Sequence, residues 1–232
     1  MKRSTFIYLL LLLLTALPAL AQDEAALLQR VKARLNRVND YTATGNMKLD
    51  VSFIKAPPSQ VKVYYKKPSR FKVEKAGGIS ILPKGGVSVN LNALLLTDNY
   101  TAVPAGTATI GSITTKVIKL LPNDENGDVV LTTLYIDEKE ALIRRTKVTT
   151  RESGTYEMDL SYGAYAAWGL PDKVVFSFNT KDYKLPKGIT FEYEKGGPQK
   201  QAPAGDKKGK VEITYASYVI NKGVEDKVFA GK

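Results

Sequence analysis

The chain has 232 residues and a formal charge of +11, from 34 Lys and Arg against 23 Asp and Glu, with no cysteine and no histidine. Those two absences remove Ser-His-Asp and Cys-His chemistry and the commonest zinc ligands, and they leave no disulfide to hold the chain together. No Gly-x-Ser-x-Gly, phosphate-binding loop, metal-ligand spacing or evident catalytic carboxylate pair is present, so the composition argues against an enzyme and calls for no metal and no cofactor.

Lys2 and Arg3 precede a stretch without charge from Ser4 to Ala21 that contains LLLLLLTALPALA. A basic start, an apolar run and a small-x-small site at Ala19-Leu20-Ala21 form a secretory signal peptide, with an uncleaved anchor as the alternative. Residues 1–21 are predicted to be cut away between Ala21 and Gln22, leaving 22–232 as a single domain. The residue after the cut is not cysteine, so no lipid is attached there. For an exported chain the positive charge argues for no nucleic acid. It points to transient contact with anionic membrane surfaces or to acidic partners, unless the lysines only solvate strand faces.

From Asp23 to Asn39 the apolar residues Leu27, Leu28, Val31, Leu35 and Val38 recur at helical spacing, with Arg30, Lys32, Arg34 and Arg37 mostly between them. The spacing predicts one amphipathic helix, its acids at the start and its arginines late, as the helix dipole favours. Its apolar stripe either covers the protein's own sheet or lies on a membrane surface.

Beyond Tyr41 the period changes to two. Met47, Leu49, Val51 and Phe53 alternate with polar residues, as do Val61, Val63 and Tyr65, and Pro68 separates these from a third strand over 70–75. Strand patterns follow in TTKVIKLL, VVLTTLYID, ALIRRTKVTT, TYEMDLSYG, KVVFSFNT, GITFEYE and KVEITYASYVI, with Asn126-Gly127, ESGT and Leu170-Pro171-Asp172 as turns. The stretch 75–113, with mixed Gly, Pro and apolar clusters, is expected to combine short strands with a mobile flap, and 195–210 to be a flexible basic loop. Trp168 is expected to anchor a strand connection, and the tyrosines beside lysines, such as Tyr64, Tyr193 and Tyr215, follow from strand propensity.

The class is therefore α+β, a large curved antiparallel sheet with an N-terminal helix. One helical stripe is too narrow for about eleven twisted strands, which favours a cavity over a filled core, although periodicity alone does not separate the two. Val61, Val63, Tyr65 and Lys67 share one strand face, placing Lys67 at the rim of the inward row.

The stretch ARLNRVNDYTATG followed by VYYKKPSRF resembles the bacterial outer-membrane lipoprotein carrier (LolA-like) family. The helix end matches at Leu35, Val38, Tyr41 and Ala43, and the basic-basic-Pro-x-x-Phe strand end at Lys66, Lys67, Pro68 and Phe71. TTLYIDEKEALIRRTKV and GLPDKVVFSF look like the family's hairpins. The resemblance implies an unclosed half β-barrel with a lid over its concave face. It implies a monomeric periplasmic carrier that sequesters the acyl chains of lipoproteins or lipids, loaded by an inner-membrane release complex and unloaded at an outer-membrane receptor. The implied acyl-binding residues are Leu35, Val38, Met47, Leu49, Val51, Phe53, Val61, Val63, Tyr65 and Phe71, with Lys67 as the lid latch. The family has arginine where Lys67 stands, and its Asp-Gly-x-x-x-Trp/Tyr strand has no counterpart here. Two other functions fit the same residues: a lipid-binding envelope sensor or regulator, and an interaction module with a filled core.

Overall fold

The computed structural model describes residues 18–50, 57–75, 95, 98–151, 154–179 and 208–230. Helix α1 spans Pro18–Leu35, so it begins and ends earlier than the predicted Asp23 to Asn39. Asp23 and Glu24 thus lie in its second turn rather than at its start, while Lys32 and Arg34 occupy its last turn. The apolar spacing continues to Val38 because the chain tightens as it leaves the helix: Arg37 N–H donates to Arg34 O (3.2 Å) and Val38 N–H to Leu35 O (3.2 Å). These i to i−3 bonds keep Val38 on the helix's buried side without extending the α-helix.

The strands are β1 (Asp40–Asp50), β2 (Ser59–Lys66), β3 (Arg70–Lys75), β4 (Tyr100–Ile110), β5 (Ile113–Pro122), β6 (Val129–Asp137), β7 (Leu142–Thr150), β8 (Thr155–Ser161), β9 (Lys173–Asn179) and β10 (Lys208–Ile220). They form one antiparallel sheet ordered β3-β2-β1-β10-β9-β8-β7-β6-β5-β4. Neighbours in sequence are neighbours in space except β3 and β4, which lie at opposite ends of the sheet, and the pairing of β10 with β1 brings the last strand beside the first. Among the described strands β3 and β4 are the two edges, so the sheet is an unclosed half-barrel with α1 on its concave face.

Strand β4 corrects the expectation of short strands and a flap: it runs eleven residues. Its pattern is exposed on both faces, so no alternation marks it in the sequence, and Pro104 and Gly106 sit where its register with β5 shifts. The predicted basic loop ends earlier than expected, since Lys208, Gly209 and Lys210 belong to β10. GITFEYE, Val51 and Phe53 lie outside the described residues, as does most of the expected lid over 75–113.

The inward residues of β1 and β2 make the first core cluster with β3 and β10, including Ala43, Met47, Val61, Val63, Val73 and Ile213. A second cluster joins Leu27, Leu28 and Val31 of α1 to Ile118, Leu120, Leu134, Ile136 and Ile143. A third, around Tyr156, Met158, Phe176 and Phe178, occupies β8 and β9. Helix α1 therefore covers the β5–β7 side of the concave face. Lys32 is drawn in with it: although it lies between apolar positions in the sequence, it is buried, ion-paired to Asp98 and 5.0 Å from the Tyr100 ring.

Candidate functional site

Between the first two clusters lies a cavity of about 80 Å³. Its sheet side carries Tyr41, Tyr65 and Phe71 from β1–β3, Ile143, Leu160 and Val174 from β7–β9, and Tyr215 and Tyr218 from β10. Its roof is the last turns of α1 (Val31, Arg34, Leu35, with Val38 beyond) and the β8–β9 connection, which supplies Trp168, Gly169, Leu170 and Pro171.

Both β10 tyrosines reach the cavity because the strand is irregular. Thr44 faces Ser217 but Gly45 faces Tyr215, so Ala216 is an extra residue that turns the parity of β10 over. Residues 211, 213 and 215 point inward before it and Tyr218 after it. Gly45 is what allows this approach, since a Cβ there would lie 2.4 Å from the carbonyl oxygen of Thr214. The rings then cluster: Tyr218 lies 5.3 Å from Tyr41, 5.0 Å from Tyr215 and 4.8 Å from Tyr165, centroid to centroid. Burial pushes the Tyr41, Tyr215 and Tyr218 hydroxyls up, so each stays neutral and the wall carries no negative charge.

The roof is tied down by polar bonds. The Tyr218 hydroxyl donates to Pro171 O (2.7 Å), and Arg34 Nη1 donates to Ala166 O (2.7 Å) across the roof from helix to connection. Gly169, in the left-handed region at φ 70°, lets the arginine stem pass: a Cβ would sit 3.3 Å from Arg34 Cγ and Cδ. Trp168 is 38% exposed at the edge of this roof.

The lysine pair before Pro68 is divided between two tasks. Lys66 Nζ donates to Asp226 Oδ1 (2.5 Å) in the C-terminal segment, and Arg70 joins the same carboxylate (2.6 Å). Lys67 Nζ donates to Asn36 O (2.7 Å) and lies 3.3 Å from the side-chain oxygens of Asn36 and Asn39. Among the described residues, then, Lys67 grips the exit of α1, a carbonyl-rich helix end that a cation suits. The expected partner, a lid drawn from 75–113, is not among its described contacts.

Of the sequence-derived candidates, Leu35, Val38, Tyr65 and Phe71 line the cavity. Met47, Val61 and Val63 are buried in the first core cluster and Leu49 packs at its margin, all outside the cavity lining. The sequence reading missed Arg34, Tyr215, Tyr218 and Trp168 as cavity residues. The bulge at Ala216 hides the inward parity of Tyr215 and Tyr218, but YGAYAAWGLP, with a glycine on each side of its tryptophan, carries a visible signal of a tight aromatic turn.

No family model matches the sequence, and no curated protein does. Solved structures do. A domain assigned to outer-membrane lipoprotein sorting from Vibrio parahaemolyticus superposes with a TM-score of 0.55 at 9% identity, over 88% of this chain and 94% of that one. A LolA superfamily protein from Nitrosomonas europaea gives 0.52 at 9% identity, over 88% and 97%. A DUF1329 family protein from Desulfovibrio piger gives 0.52 at 10% identity, over 89% and 96%. The chain has the LolA-like fold, and at these identities the likeness speaks to the fold alone.

Proposed function

We propose that the protein is a periplasmic carrier that takes the acyl chains of lipoproteins or lipids between α1, the β8–β9 connection and the concave sheet face, and passes them towards the outer membrane. No covalent step is involved. The observation that carries this reading is an apolar, tyrosine-walled cavity roofed by two separate segments, joined to each other through Arg34 and to the wall through Tyr218. At about 80 Å³ the closed cavity is far smaller than the roughly 300–1,000 Å³ of a small-molecule site, so loading requires the roof to lift. In this reading the signal peptide delivers the chain, the monomer shuttles between an inner-membrane release complex and an outer-membrane receptor, and membrane contact is brief.

Native mass spectrometry of the protein from its own envelope tests it. The expected result is a chain beginning at Gln22, without covalent lipid, carrying a noncovalent acylated ligand. A ligand-free protein that also takes up no acylated peptide in a fluorescence titration would leave the interaction module standing instead. The small closed cavity also suits a sensor, in which filling displaces the Trp168 turn as the signal. Lipoprotein sorting that proceeds normally in a deletion strain would select that reading over the carrier.

Lys67 extends the proposal as the latch on the helix exit. Lys67→Leu is expected to cost about 0.5–1.5 kcal/mol of stability, the net value of a hydrogen bond, and to speed displacement of an acylated peptide in stopped-flow fluorescence. Lys67→Arg, with more donors in a planar fork, is expected to slow it. Equal displacement rates in all three proteins would remove the latch.

A further inference from the structure

Among the described residues that line the apolar cavity, Arg34 is the one charged residue, and none is aspartate or glutamate. A guanidinium has five N–H donors, and among the described residues the hydrogen bond made by Arg34 goes from Nη1 to the backbone carbonyl of Ala166. No carboxylate among the described residues forms an ion pair with it. The surrounding corner carries more cations than carboxylates: Asp172 of the connection accepts from Ala164 N–H and Asp40 from Gly223 N–H, and the basic residues outnumber them. Lys67 grips the helix exit, Lys66 and Arg70 share the single carboxylate of Asp226, and Arg37 is exposed on the segment leaving α1. The nearby Tyr162 hydroxyl is kept neutral by burial, against the opposite pull of Arg144 and Arg34, so it supplies no counter-charge either.

A half-buried cation in an apolar roof loses hydration, here with no carboxylate among the described residues as counter-ion, and its unused donors form the planar fork that matches a carboxylate or phosphate. Helix-dipole compensation accounts for a cation in the last turn of α1 but not for one placed in a cavity lining beside Trp168. We propose that the roof edge beside Trp168 is a headgroup site in which Arg34 holds the anionic group of an amphiphile whose acyl chain enters the apolar interior. This rests on the acyl-binding reading and narrows it to anionic lipids, free long-chain carboxylates or lipid phosphates, in preference to neutral acyl compounds. The bond to Ala166 O makes the site responsive: an anion that draws the guanidinium away frees the Trp168 turn from the helix, so headgroup capture and roof opening are coupled.

The test is displacement of N-phenyl-1-naphthylamine from the full mature chain by palmitate, by lysophosphatidic acid and by the neutral monopalmitoylglycerol, with folding followed by circular dichroism on the same samples. Palmitate, lysophosphatidic acid or both are expected to displace the dye at concentrations at least ten-fold lower than the neutral lipid, and the active arm identifies the headgroup as carboxylate or phosphate. Arg34→Gln is expected to shrink that ratio to about one, and Arg34→Lys to keep part of it. In wild-type protein the advantage of the anion is expected to fall as salt is raised, a readout independent of whether any variant folds. Equal displacement by anionic and neutral lipids in the wild type overturns the headgroup site and leaves acyl binding intact, as does a ratio preserved in folded Arg34→Gln. Failure of the dye and of all three lipids to bind overturns the acyl-binding reading itself, and this site with it.

Discussion

Replacing Val63 with glutamate is expected to unfold the protein. Val63 is fully buried at the centre of β2, paired with Ala43 of β1 on one side and Val73 of β3 on the other. All three belong to one core cluster, and Val63 is absent from the cavity lining. An ionised carboxylate there has no partner, and a neutral one still leaves unpaired polar atoms, so the cost is several kcal/mol in either state. That is a large part of the roughly 5–15 kcal/mol that holds a domain together. Gln60→Glu, three residues earlier on the exposed face and opposite Asn46, is the control and should stay within about 0.5 kcal/mol of wild type. Circular dichroism melts of both variants decide the matter. A folded Val63→Glu protein with an unchanged melt would mean that the wall under β2 faces open space, as the alternation alone allows.

That allowance marks where the sequence is legible and where it is not. Alternation places Val61, Val63 and Tyr65 on one face, and the structure agrees, but period two carries no information about what lies in front of the face. Tyr65 meets the cavity while Val63, two residues away, meets other side chains. The hairpins from β5 to β8 are readable from β-branched and apolar runs closed by turn residues, and β5 also alternates, although β6 is buried on both faces over Thr132, Thr133 and Leu134. Strand β4 is not readable, since a strand exposed on both faces has no reason to alternate. The helix is readable from its stripe, but its ends are not: the i to i−3 turns after Leu35 continue the spacing beyond the α-helix.

The site itself is less legible than the frame. The described cavity residues come from α1, from seven strands and from the connections between them, and only the strand order β1-β10-β9 brings Tyr41, Tyr218 and Val174 onto one wall. Lys67 is identifiable because it ends an inward row before a proline, yet its partners, Asn36 and Asn39, belong to a helix exit that the sequence reading treats as helix. Arg34 reads in the sequence as an ordinary cation late in a helix. Its importance comes from where the helix ends, against the Trp168 turn.

Filling the cavity from the sheet side is expected to abolish acyl uptake while leaving the protein folded. Val174 is the residue for this, because it sits in the cavity wall at the middle of the sheet, paired with Leu160 of β8 and Ile213 of β10. Val174→Phe keeps a strand-forming apolar residue and puts a ring into space that is already empty in the closed form, about 80 Å³ of it. Overpacking elsewhere in a core costs about 1–3 kcal/mol, and here the void takes up part of that strain, so the melting temperature is expected to move by only a few degrees. Uptake has no such reserve, because an acyl chain must occupy the same volume as the ring. Fluorescence titration with an acylated peptide is therefore expected to show at least a ten-fold loss of affinity in a sample whose circular dichroism matches the wild type. The exposed face gives the control: Val219→Phe, on β10 at 53% exposure, adds the same ring outside the cavity and should bind as the wild type does. Undiminished uptake by folded Val174→Phe would put the acyl site elsewhere on the sheet.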